Sequence, residues 1–126
     1  MPLPPSREGA PPTEPADTAR RIVDLLADHQ ADDIVLLDIR PVAAFADYFI
    51  VASSDNPRQM RALVQVLEKQ LPSASGRLHH QEGPLESGWV LLDYGAVIVH
   101  LFSPERREHY ALEELWHEAT EVVRIQ

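Results

Sequence analysis

Hydrophobic positions change their spacing several times along this chain, and each change marks a predicted element. Ala19, Ile22, Val23 and Leu26 recur at helical spacing after Asp17 and Thr18, either of which is an acceptable N-cap. A first helix is therefore predicted to start there and to end at the "ADD" of residues 31–33. "IVLLDI", residues 34–39, is too short and too β-branched for a helix and predicts a strand. "FADYFIVAS", residues 45–53, predicts a second strand, with Phe45, Phe49 and Val51 on one face and Tyr48 and Ile50 on the other. Both strands are apolar on both sides, as expected inside a covered sheet. Asp55 or Asn56 caps the next helix and Pro57 fits its first turn. Met60, Leu63, Val64, Leu67 and Leu71 give that helix one apolar stripe, and Pro72 and Gly76 break it. Residues 77–88, with Gly83, Pro84 and Gly88, have room for a short third strand and a loop.

The stretch "GWVLLDYGAVIVHLF", residues 88–102, predicts a hairpin that is apolar on both faces. Gly95 at the first turn position suits a two-residue type II′ turn. Such a turn pairs Tyr94 with Val97, Leu92 with Val99 and Val90 with Leu101 on one face, which reads as pure core. Trp89, Leu91, Asp93, Ile98, His100 and Phe102 share the other. Ser103 and Pro104 then start a last helix, predicted over about residues 105–122 and anchored by Tyr110, Leu112, Leu115 and Trp116. The order of elements predicts a single α/β domain with a mixed sheet of about five strands and about three helices. Three helices blanket one face of such a sheet and part of the other. Apolar surface left over is the usual mark of a protein contact.

Charge narrows the partner. The 126 residues carry a formal net charge of -9, which opposes DNA and broad phosphate binding and suits a basic protein partner. With no Cys, disulfides, thiol catalysis and Cys-ligated zinc are excluded. No apolar run approaches the roughly 18 residues of a membrane span, and "MPLPPSREGAPPTEPAD" lacks the layout of a signal peptide, so a cytoplasmic protein is expected. Six of the 11 prolines fall in residues 1–16, which predicts a disordered arm ahead of a domain spanning 17–126.

No motif carries catalysis, and neither cofactor nor metal is expected. His79 and His80 are adjacent, so their side chains diverge on a strand, and a loop is the preferred reading. "HEATE", residues 117–121, comes close to the zinc motif H-E-x-x-H but has Glu121 where the second His belongs, and is read as a solvated helix face. Asp38, Asp47 and Asp93 are read onto strands singly, without the Gly-Ser turn of a magnesium-dependent nucleotidyl transferase, so capping or partner contact is preferred. Ser53 and Ser54 lack a glycine elbow, and His100 reads as a core or rim histidine.

"ADYFIVAS", "PRQMRAL", the "EG" of residues 82–83, "GWVLLDYGAVIVHLF" and "REHYALEELW" follow one another as in the ribosomal silencing factors, the Iojap-like family, and the resemblance covers about residues 17–117. It implies a nucleotidyltransferase-like fold without catalytic residues. It also implies binding to the large ribosomal subunit at large-subunit ribosomal protein fourteen, blocking small-subunit joining and repressing translation under nutrient limitation. Large-subunit assembly is the alternative role, a self-associating module is a further one, and the resemblance extends to homodimers. Carried onto this chain, it makes Trp89, Leu92, Asp93 and Tyr94 contact residues, with Arg107 and Tyr110 at the start of the last helix as a second group. Two positions depart from the family pattern: Ala96 stands where Asp is frequent, and His109 where a large apolar residue is frequent.

Overall fold

The computed structural model describes residues 14–71, 80–110 and 119–126. Among them are three α-helices, α1 (Pro15–Asp28), α2 (Pro57–Gln70) and α3 (Pro104–Tyr110). The strands are β1 (Asp32–Asp38), β2 (Tyr48–Ser53), β3 (His80–Glu82), β4 (Trp89–Asp93), β5 (Val97–Phe102) and β6 (Thr120–Ile125). They form one mixed sheet in the order β3-β4-β5-β2-β1-β6. β2 and β5 run parallel at its centre, and the other neighbours are antiparallel. The α/β class is as predicted.

Alternation along the central strands builds two cores. Ile34, Leu36, Ile50, Ala52, Val90, Leu92, Val97, Val99 and Leu101 face α1 and α2, where Ile22, Leu26, Met60, Leu63 and Leu67 close over them. Val35, Leu37, Ile39, Ala46 and Phe49 form a second cluster on the opposite face, with Val42, Ala43, Ile98 and Ala119 packed against it. β2 is buried along its whole length, which explains why its sequence shows no polar alternation.

The caps follow the sequence closely in two helices. Asn56 accepts the Gln59 N–H at 2.8 Å ahead of Pro57, and Ser103 Oγ accepts the Arg106 N–H at 3.2 Å ahead of Pro104. Gln59 also ties α2 to the end of α1, since its amide donates to the Gln30 carbonyl at 2.9 Å.

Four boundaries differ from prediction. Pro15 opens α1 with Glu14 as the N-cap, so the first helix starts before Asp17 and Thr18, which lie inside its first turn. The second strand begins at Tyr48 rather than Phe45. Phe45 lies in the preceding loop, 60% exposed, with its ring 5.9 Å from that of Phe49. His80 opens β3 instead of lying in a loop, while His79 falls outside the described residues. Finally, Thr120, Glu121 and Val122 belong to an edge strand and not to the last helix. The β-branched run "TEVVRI" pairs antiparallel with β1, and that backbone pairing outweighs the helix-forming residues before it. The helix anchors Leu112, Leu115 and Trp116 lie outside the described residues.

Candidate partner-binding surface

The β4–β5 hairpin has the predicted register: Val90 opposes Leu101, Leu92 opposes Val99, and Trp89 opposes Phe102. Its turn fits a type II′ geometry, with Gly95 at φ +87°. Asp93 accepts the Gly95 N–H at 2.7 Å and so braces the turn, while the Ala96 carbonyl accepts the N–H groups of Asp47 and Tyr48 at 2.7 and 3.0 Å. The alanine that departs from the family pattern thus contributes through its backbone, binding the turn to the start of β2.

Entry into β4 is equally fixed. Gly88 adopts a left-handed conformation at φ +83°, and its carbonyl accepts the Ser103 N–H at 2.8 Å. A Cβ on Gly83 would lie 2.2 Å from the Trp89 carbonyl oxygen, so only glycine lets the β3–β4 connection cross there.

Trp89 is half-buried and held by two rings of β5. Its indole stacks on Phe102 with centroids 5.2 Å apart, and its Nε1–H donates to His100 Nδ1 at 3.2 Å. His100 is 4% exposed and meets Phe49 edge-on at 4.9 Å. Its Nε2 is buried without a hydrogen-bond partner. Leu91, Asp93 and Ile98 on the same face are half-exposed. A shallow hollow of about 140 Å³ lies against Glu82, Gly83, Trp89 and Leu91. This face exposes part of the Trp89 indole beside apolar Leu91 and Ile98, with acidic Glu82 and Asp93 at its margin.

Burial pushes the His100 imidazole down to about 4, from 6.5 for a freely hydrated ring. Between those values the unfolded chain binds the proton and the folded chain does not. Stability therefore falls as pH drops through that window, and the loss is complete below about 4, where it amounts to about 3 kcal/mol. Melting temperatures measured from pH 7 to pH 4 should fall more steeply for the native chain than for His100→Phe. Parallel curves would show that other groups set the acid response.

The family model described as "Ribosomal silencing factor during starvation" matches residues 12–126. The chain belongs to the ribosomal silencing factor family. It is 37% identical over 117 residues to the ribosomal silencing factor RsfS of Zymomonas mobilis, covering 92% of this chain and 88% of that one. It is 35% identical over 98 residues to the "Mitochondrial assembly of ribosomal large subunit protein 1" of Mus musculus, 75% of this chain but 43% of the mouse protein. The crystal structure of a Chromobacterium violaceum protein superposes with a TM-score of 0.77 at 33% identity, covering 83% of this chain and 88% of that one. Membership places the protein among ribosome-associated regulators of translation.

The contact residues expected from the sequence of this ribosomal silencing factor fall into three groups. Trp89 and Asp93 share the half-exposed face. Leu92 and Tyr94 do not. Leu92 is 1% and Tyr94 8% exposed, both in the core beneath α1 and α2, because alternation turns them away from Trp89. Their assignment as surface contacts is corrected to core. Burial, followed by the charge of Glu68, pushes the Tyr94 hydroxyl up to about 12. Arg107 is half-buried and donates to the Asp33 carbonyl and to Ser53 Oγ, the latter at 2.9 Å, pinning α3 to the ends of β1 and β2. Tyr110 closes α3.

The three aspartates do not converge. Asp38 projects from the α1 and α2 face of the sheet, where its carboxylate receives two bonds from the Arg40 guanidinium, at 2.9 and 2.6 Å. That contact holds it below the usual carboxylate range. Asp93 belongs to the opposite face, and Asp47 lies just before β2 instead of on a strand. Among the described residues no group of three or more His, Asp or Glu is placed to hold a metal. Among the same residues no helix is long and apolar enough to cross a membrane. Sequence reasoning missed His100 as the partner of Trp89. The signal was present, because the turn fixes a register in which the two residues are diagonal neighbours on one face.

Proposed function

We propose that this ribosomal silencing factor binds the large ribosomal subunit at large-subunit ribosomal protein fourteen and blocks joining of the small subunit, repressing translation when nutrients are limiting. The observation that carries this reading is the half-exposed Trp89, Leu91, Asp93 and Ile98 face on a chain of net charge -9. Such a face offers an aromatic anchor to a basic protein while the acidic body disfavours bare RNA. The mechanism needs no chemistry, cofactor or metal: a folded domain seated on a docking surface excludes the other subunit by occupancy. The protein acts in the cytoplasm, and a second copy of the chain is a further candidate partner. The arm expected over residues 1–16 is dispensable for binding up to residue 13, since α1 begins at Pro15 with Glu14 as its N-cap.

The test is sedimentation of purified large and small subunits with and without the protein. It should migrate with the large subunit and lower the yield of joined ribosomes. Protein that stays at the top of the gradient, with joining unaffected, would overturn the reading. A second role in large-subunit assembly is supported by the name of the mouse relative. It predicts that deletion strains accumulate incomplete large subunits even in rich medium.

A further inference from the structure

We infer that His100 is a positioning residue for Trp89, holding the indole in the orientation a partner meets at the expense of fold stability. The inference rests on the reading of the Trp89 face as the docking surface. His100 Nδ1 accepts the indole Nε1–H at 3.2 Å, so the imidazole proton sits on Nε2. That nitrogen is buried and has no partner. Its nearest neighbours along the cross-sheet row are apolar, with Leu91 opposite on β4, Val51 beside it on β2 and Val35 beyond on β1, and the charged members, Glu82 on β3 and Arg124 on β6, stand at the two ends of the row. Phe49 meets the ring edge-on and Phe102 stacks on it. A phenylalanine here would keep the ring contacts and leave no donor orphaned, so packing alone does not call for histidine. The feature that phenylalanine lacks is the acceptor for Trp89. With Phe102 stacked on one side and the Nε1–H tethered on the other, the half-exposed indole is ordered before any partner arrives. That lowers the entropy lost on docking.

Stability and binding should therefore move in opposite directions. His100→Phe is expected to raise the melting temperature by about 3 °C and to weaken binding to purified large subunits about tenfold. His100→Asn places Oδ1 near the position of Nδ1. It should melt lower than the native chain yet bind within about threefold of it. In a Trp89→Phe background, which lacks the indole N–H, adding His100→Phe should change binding by less than about twofold, because the two substitutions break the same link. The Trp89 indole ¹H–¹⁵N signal, identified by its loss in Trp89→Phe, should shift and broaden in His100→Phe. A fall of stability and binding together in His100→Phe, or unchanged binding with an unmoved indole signal, would overturn the inference. If the native chain itself fails to bind large subunits, the functional reading falls. The indole signal then still decides whether His100 orders Trp89.

Discussion

Tyr94→Glu is expected to destabilise the domain by at least about 4 kcal/mol, a large share of the roughly 5–15 kcal/mol that holds a domain of this size together. Tyr94 is 8% exposed and packs in the core beneath α1 and α2, so the substitution removes aromatic packing costing about 3–5 kcal/mol and puts a carboxyl group in its place. Glu68 on α2 adds repulsion between like charges. A carboxyl buried there has a folded-state pKa raised above its unfolded value. The destabilisation is therefore largest at neutral pH and eases as pH falls and the group protonates. Denaturant titration at pH 7 and pH 5 measures both effects. A midpoint within experimental error of the native chain at pH 7 would place Tyr94 on the surface.

Trp89→Ala is expected to do the reverse. The indole is half-buried, so its loss should lower stability by only about 1–2 kcal/mol. Binding to the large subunit should weaken by about 2 kcal/mol or more, roughly 30-fold, as for a central aromatic anchor. Comparing denaturant midpoint with co-sedimentation separates the two. A collapsed midpoint with unchanged binding per folded molecule would assign Trp89 to the core and move the docking surface towards Arg107 and α3. The contrast between the two variants comes from alternation alone, which sends residues of opposite parity on one strand to opposite faces.

That same parity shows how far the sequence was legible. The hairpin could be read to the residue because a two-residue turn fixes the register of everything beyond it. The helix caps at Asn56 and Ser103 were legible because each precedes a proline at the first helical position. The α1 cap was missed because Glu14 makes no side-chain cap bond and so leaves no signature. β6 was missed because an edge strand is recognised by its pairing partner, and β1 lies far away in sequence. Phe45 looked like strand because its parity matches Phe49, but the chain is still turning there, and the ring packs on Phe49 from the loop. Two of the expected contact residues, Leu92 and Tyr94, took that role only by carrying over a whole motif, and both are buried in the core. The faces of the hairpin, read by themselves, already separated them from Trp89.

The parallel pairing of β2 with β5 has a kinetic consequence. Every other pairing at the centre of the sheet joins strands adjacent along the chain, and the β4–β5 hairpin needs only a two-residue turn to close. The β2–β5 seam must wait for α2, β3 and β4 to be threaded between its two halves. Loop-closure entropy therefore makes that seam costlier to close than the hairpin, and the hairpin is expected to form ahead of it as a template. His100 lies in this seam, beside Val51, so the residue that orders Trp89 reaches its final surroundings only when the two halves of the molecule have met.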